Sequence, residues 1–262
     1  MKETQGNNMT GCDHELASLA KGRRIILIRH GQVQQQKEKI LLGQTNVPLS
    51  DKGKIQAGKA AERLAELAPE TDRIYSSPLI RAKETAQMIT GFLNAAGAVN
   101  ETDLNDGTAN AAGATDEADL NDGTANAADA ADTTAPRSKS MDSRSPGIKL
   151  RVIPVDDLAE IALGEWDGKY ISEIKEKYPE RFMARGENLF SFDIGGGSEN
   201  FYDLQDRVVN ALKKILKDDP AEDIVIVSHK GVIRALENNL AGQSVDAPWD
   251  APDTGDMRII RK

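Results

Sequence analysis

Two histidines stand at the ends of the two most apolar runs in the chain. Ile25-Ile26-Leu27-Ile28 leads into Arg29-His30-Gly31, and Ile224-Val225-Ile226-Val227 leads into Ser228-His229-Lys230-Gly231. A neutral imidazole carries a nitrogen lone pair that can attack an electrophile or move a proton. It also serves, by default, as a hydrogen-bonded structural residue at a strand end. The pair alone leaves both roles open. The third histidine, His14, lies outside any clearly periodic element.

The elements around these histidines decide whether they can act together. A continuous apolar run of this kind suits a strand buried on both faces of a parallel sheet. In open α/β sheets ligands bind beyond the carboxyl ends of the strands, so His30 and His229 would face one another if their strands are neighbours. Ser50 is a good N-cap, and Ile55, Ala61, Leu64, Ala65 and Ala68 recur at helical spacing until Pro69. A short strand is expected over Arg73–Ser76. Pro78 then opens a helix from Leu79 to about Leu93. Ile148, Leu150 and Val152 alternate with Lys149 and Arg151 as a strand at or near a sheet edge. Further helices are expected from Ile171 to Tyr178, from Phe201 to a stop before Pro220, and from Val232 to about Leu240. Met257 to Ile260 reads as a final strand. Strand alternating with helix is the pattern of a βαβ-based sheet.

Composition excludes several classes of function. Gly91 to Pro136 holds no Lys, Arg or His and nine acids, which account for the whole formal charge of −9. The remainder is charge-balanced, so a general nucleic-acid surface is not supported and an anionic small molecule is not excluded. Within this stretch Asp103 to Ala112 is repeated identically as Asp119 to Ala128, a period of 16 residues with too few apolar side chains to offset ordering entropy. Asp-Leu-Asn-Asp-Gly faintly resembles a calcium loop, but its glycine comes one residue early and position 12 is alanine rather than glutamate. Residues from about 95 to 147 therefore read as a disordered acidic insertion, and residues 1–22 as a polar lead-in with a possible short helix over Glu15–Ala20. The remaining residues, 23–262, read as one domain. One cysteine, Cys12, rules out an internal disulfide framework. With no signal-like apolar core and no run of roughly 20 apolar residues, the chain reads as a soluble cytoplasmic protein, monomer or homodimer, with no membrane partner.

Ser77-Pro78-Leu79 with Arg81-Ala82 narrows the chemistry. Together with Arg29-His30-Gly31, Leu158-Ala159-Glu160 to Gly164-Glu165-Trp166-Asp167-Gly168, Gly197-Ser198-Glu199-Asn200-Phe201 and Val227-Ser228-His229 to Arg234, it forms five ordered motifs. By these the chain resembles the histidine phosphatase, or phosphoglycerate mutase-like, superfamily over about residues 24–94 and 148–240. Gly43 to Leu49 and the Glu160–Gly168 run look most like α-ribazole phosphatase and its broad-specificity relatives. The resemblance implies a three-layer α/β/α sandwich with a mostly parallel sheet. It makes His30 the phosphorylated nucleophile, Arg29, Arg81 and His229 the phosphate pocket, and Glu160 the proton donor. Gln36 stands where relatives have a phosphate-touching Asn, Lys230 where Gly is usual, and Gln32 where Glu is usual.

The physics of phosphoryl transfer agrees with those assignments. Charge spreads over three oxygens in the transition state, so catalysis is mostly positioning and electrostatics. Two guanidiniums clamp those oxygens in bidentate fashion as lysines cannot. His229 is expected to be protonated beside the anion. Burial near Ile161 and Leu163 should raise the Glu160 pKa and suit it to protonate a leaving alkoxide. Glu165 and Asp167 are expected to be surface charges. No metal or other cofactor is called for. The implied activity is a metal-independent phosphomonoesterase acting on a small phosphorylated metabolite, such as α-ribazole 5'-phosphate or a sugar phosphate. A phosphoglycerate mutase and a non-catalytic phospho-ligand binding module are the competing readings.

Overall fold

The structure, a computed structural model, describes residues 13–34, 39–103 and 149–262. Gln36, Cys12 and the acidic repeat, with the questions of disorder and calcium attached to it, lie outside the described residues.

Five strands form one sheet: β1 (Arg24–Arg29), β2 (Arg73–Ser76), β3 (Arg151–Pro154), β4 (Asp223–Ser228) and β5 (Met257–Arg261), in the order β3-β2-β4-β1-β5. All pairs are parallel except β1 with β5. The helices are α1 (His14–Ala20), α2 (Asp51–Leu67), α3 (Ile80–Asp103), α4 (Ile171–Lys177), α5 (Pro179–Glu187), α6 (Phe201–Asp218) and α7 (Lys230–Leu240).

The unbroken apolar runs of β1 and β4 are explained by the layers. Ile25, Leu27, Ile224 and Ile226 pack into a core with α1, α6 and α7 side chains such as Leu16, Leu212 and Leu236. Ile26, Ile28, Val225 and Val227 pack on the other face with Ala61, Leu64, Ala86 and Ile89 of α2 and α3. Alternate residues thus feed opposite cores, so neither parity can be polar. Burying each of these Ile, Leu or Val side chains stabilises the fold by about 1.5–3 kcal/mol. The result is the expected three-layer α/β/α sandwich.

Several boundaries differ from those read in the sequence. In α2 the buried stripe is Ala57, Ala60, Ala61, Leu64 and Ala65, spaced by three and four. Ile55 precedes Ala57 by about 200° of helical rotation and is 63% exposed. α3 starts after Pro78 and runs beyond Leu93 to Asp103, through Ala95, Ala96 and Ala98, whose helix propensity favours continuation. β3 lies at the sheet edge as expected but begins at Arg151. α5, absent from the sequence reading, opens with Pro179 at its first turn and buries no residue fully, which leaves little apolar periodicity to read. α1, inside the lead-in, opens at His14 and sinks Leu16 and Ala20 into the core beside α6. Lys213 of α6 pairs with Asp13 and Glu15.

Candidate active site

Parallel pairing sets the site. β1 and β4 align Arg29 with Ser228, and the His30 amide donates to the Ser228 carbonyl at 3.0 Å. The next residue on each strand end is a histidine, and the two ring centroids lie 5.1 Å apart. Gly31 is required beyond the first of them. Its α-carbon passes so close to the Gly53 carbonyl, in the first turn of α2, that any Cβ would collide. The Gly31 amide donates to Thr85 Oγ1 at 3.0 Å, and that hydroxyl donates to the Arg81 carbonyl at 2.8 Å. The histidine turn is thereby tied to the helix that supplies Arg81.

His30 Nδ1 lies 2.8 Å from the Gly31 carbonyl oxygen. A carbonyl only accepts, so this contact assigns the proton to Nδ1 and leaves Nε2 as a lone pair. Burial, then the charges of Arg81 and Arg29, push the His30 pKa down to about 3. It is a neutral imidazole at physiological pH. His229 is expected to be protonated beside a bound anion; the chain's own groups act the other way. It is completely buried, and burial, His30 and three arginines, Arg81, Arg207 and Arg29, hold its pKa well below the usual value, so it is neutral rather than cationic. It lies behind His30 rather than in the cavity wall. Its Nε2 is 2.7 Å from Ser77 Oγ, while its buried Nδ1 has no partner.

The two arginines are fixed by backbone. Arg81, 1% exposed, donates from Nη1 to the Thr45 carbonyl at 2.8 Å and from Nη2 to the Gly43 carbonyl at 2.7 Å. Arg29 donates from Nη1 to the Pro252 carbonyl at 2.8 Å. Each keeps a buried Nε–H with no partner. A guanidinium donor without an acceptor is costly to bury, and both side chains line the adjoining cavity, where an anion would meet their charge.

Glu160 lies across the cavity with its carboxylate held by the Ile161 amide at 3.0 Å and the Gly231 amide at 3.2 Å. Its pKa is raised: burial outweighs those two hydrogen bonds and the attraction of Arg81 and Arg29. Gly231 is needed for this approach, since a Cβ there would overlap Glu160 Oε1. The loop bearing Glu160 is clamped from α6. Arg207 forms a bidentate pair with Glu199, through Nε at 2.6 Å and Nη2 at 2.7 Å. Arg207 Nη1 also donates to the Asp157 and Ala159 carbonyls, and Glu199 Oε2 accepts from the Ala162 amide. Gln44 reaches over from the Gly43–Leu49 segment to donate to the Glu160 carbonyl at 3.0 Å.

Asp167 is not the surface charge expected of it. Half-buried, it accepts from the Gln44 amide at 2.8 Å and the Leu163 amide at 3.2 Å, fastening the loop that grips Arg81 to the loop that carries Glu160. Glu165, by contrast, is exposed and pairs with Arg181 at 2.7 Å. The cavity, of about 910 Å³, is lined by Arg29, His30, Arg81, Glu160 and Lys230, with an apolar far wall that includes Leu189, Phe190 and Phe201. Of the residues singled out in the sequence, His30, Arg29, Arg81, Glu160 and Lys230 meet there, His229 stands behind them, and Gln36 is not described. Ser77 and Gln44 lie within motifs marked in the sequence but without an assigned role, and Thr85 and Arg207 are not singled out there. Their roles arise from loops that meet only in the folded chain.

Among the described residues no three His, Cys, Asp or Glu side chains gather as metal ligands, and no helix is long and apolar enough to cross a membrane. In open α/β sheets ligands bind beyond the carboxyl ends of the strands, where Arg29, His30 and His229 lie and where the first turn of α3 brings Arg81. Comparison with known families makes the assignment specific: residues 25–143 and 140–259 match the model of the histidine phosphatase superfamily (branch 1), and the chain belongs to that superfamily. It is 30% identical over 212 residues to phosphoglycerate mutase-like protein 4 of Arabidopsis thaliana, covering 81% of this chain and 68% of the relative. It is 29% identical over 241 residues to the metal-independent phosphoserine phosphatase of the same plant, covering 90% and 78%. The fold matches the crystal structure of α-ribazole phosphatase from Shigella flexneri with a TM-score of 0.60 at 21% identity, over 90% of this chain and 89% of that one.

Proposed function

We propose that the chain is a metal-independent phosphomonoesterase that works through a phosphohistidine at His30. The observation that carries this is the tautomer. A neutral His30 with Nδ1–H given to the Gly31 carbonyl presents Nε2 to a cavity lined by two guanidiniums with unspent donors and by one carboxyl group of raised pKa. Nε2 attacks phosphorus in line and forms the P–N bond as the ester P–O bond breaks. The electron pair leaves with the alkoxide oxygen, which takes the proton of Glu160. Glu160, now ionised, deprotonates a water that attacks phosphorus. The P–N bond breaks, its electrons return to His30, and inorganic phosphate leaves. Arg29 and Arg81 hold the equatorial oxygens throughout. His229, neutral and linked to Ser77, contributes a buried hydrogen-bonding imidazole against His30 and not a fixed positive charge.

The substrate proposed is a small phosphorylated metabolite, with α-ribazole 5'-phosphate, phosphoserine and sugar phosphates in the panel to be tried. Relatives whose names include both phosphoserine phosphatase and phosphoglycerate mutase-like protein keep mutase chemistry as the second reading. The test is trapping of a phosphohistidine by a denaturing alkaline quench during turnover of that panel, since the P–N bond survives base and not acid. His30→Ala should abolish both the trapped species and phosphate release while leaving the circular dichroism spectrum unchanged, whereas an active His30→Ala protein would sink the mechanism. Isomerisation of phosphoglycerate that outpaces phosphate release would assign the chain to the mutases instead.

A further inference from the structure

The phosphoryl group engages Arg29 and Arg81, yet the cavity holds more positive charge than one phosphoryl group uses. Lys39, Arg185, Lys230 and Arg234 line the same space, and Glu160 is the single carboxylate among the lining residues. This cationic chamber sits in a chain whose formal charge is −9. Arg234 is already committed. It donates to the Val245 and Ala247 carbonyls at 2.7 Å each, and its guanidinium lies over the Phe190 and Trp249 rings. Arg185 is not. One turn earlier on α5, Arg181 is paired with Glu165 and with the Ile194 carbonyl. Arg185 is half-buried and makes no hydrogen bond or ion pair with the described residues, and burial lowers its pKa with no carboxylate to offset the cost. A cation desolvated at a cavity wall without a counter-charge is a site whose partner comes from outside the chain. Lys230 opens α7 beside Gly231, whose amide holds Glu160, so the lysine stands at the cavity wall next to the carboxyl group that would serve the leaving oxygen. Leu189, Phe190 and Phe201 supply apolar wall suited to a short carbon spacer.

We infer that Arg185 and Lys230 form a second anion subsite, and that the preferred phosphomonoester carries a second anionic group, a carboxylate or another phosphoryl, some atoms away from the one transferred. The inference rests on the phosphatase reading. A charge-assisted hydrogen bond at such a site contributes about 10- to 100-fold in affinity.

Matched pairs of substrates test it. Glycerol 3-phosphate and 3-phosphoglycerate share a skeleton and differ by a hydroxymethyl or a carboxylate; fructose 6-phosphate and fructose 1,6-bisphosphate differ by a phosphoryl. The wild-type chain should show a kcat/KM at least about tenfold higher for the anionic member of one pair, and which pair does so identifies the group. Arg185→Gln and Lys230→Gln should each shrink that ratio, chiefly through KM, while Arg185→Lys retains part of it. Unchanged thermal midpoints exclude a folding defect. Turnover without preference in both pairs, or a ratio untouched in both glutamine variants, overturns the subsite and leaves the phosphatase standing. No turnover of any of the four by a chain that hydrolyses p-nitrophenyl phosphate or another member of the panel overturns the subsite alone, and no turnover of any phosphomonoester overturns both.

Discussion

Burial makes His30 and His229 neutral, and neutrality means different things for activity and for stability. For His30 it keeps Nε2 available as a nucleophile down to pH values far below the usual imidazole range. For stability the sign is acid-labile. Between the ordinary pKa of 6.5 and the folded value of about 3, the unfolded chain binds a proton that folded His30 refuses. Its contribution is whole above pH 6.5 and is lost as pH falls towards 3. Denaturant melts between pH 7 and pH 4 should show stability falling on acidification, and more shallowly in His30→Ala. Glu160 acts in the opposite direction. Its folded pKa is raised, so its charged form costs stability as pH rises. The same titration removes the proton a leaving group needs, so turnover of alkyl phosphates should decline on the alkaline side. Glu160→Gln should lower kcat by about 10²–10⁴-fold and flatten that alkaline limb. Gly231→Ala, which drives a methyl group into the Glu160 carboxylate, should depress kcat in the same substrates with little change in KM.

At the level of elements, the Glu160 loop has almost no regular structure. One short 3-10 turn, Asp156–Leu158, precedes it and another, Gly164–Trp166, follows. Its shape comes from α6, whose start is fixed by an Asn200–Asp203 capping box and whose Arg207 grips Glu199 and three carbonyls of the loop. Lysine at 207 keeps the charge but loses the fork. Arg207→Lys should therefore reduce turnover of alkyl phosphomonoesters by about 10²-fold, the cost of a misplacement near 1 Å. It should spare p-nitrophenyl phosphate, whose phenolate leaves without a proton. Equal losses on both substrates would show that the clamp does not act through Glu160. Element boundaries were legible where caps or prolines mark them, at Ser50 and Pro220. They were not legible at α3, whose alanines continue the helix, or at α5, whose apolar side chains are few and none of them fully buried.

Across the whole molecule, the described chain ends at Asp103 in α3 and resumes at Lys149, just before β3. Asn94 ties α3 to the start of β3: its side chain donates to the Leu150 carbonyl at 3.0 Å and accepts from the Leu150 amide at 2.8 Å. With entry and exit pinned inside the described fold, replacing residues 97–147 by a short Gly/Ser linker should change kcat/KM by less than about twofold, since loop-closure entropy varies only slowly with length. Loss of folding in that variant would assign the segment a structural part. Adding Asn94→Ala to the shortened chain should lower its thermal midpoint by a few degrees, the effect of losing about 1 kcal/mol.

The sequence alone determined the layered fold and marked the candidate site residues, because both are local signals: unbroken apolar runs demand burial on two faces, and His30, Arg81, Glu160 and His229 each lie in a short motif. The tertiary structure decided everything that depends on what burial and distant loops do to those groups. It lowered the pKa of His229, since burial, His30 and three guanidiniums all oppose its charge. It turned Asp167 from an expected surface charge into a tie between two loops. It also left Arg185 at the cavity wall without a counter-charge, which no spacing of residues along the chain records.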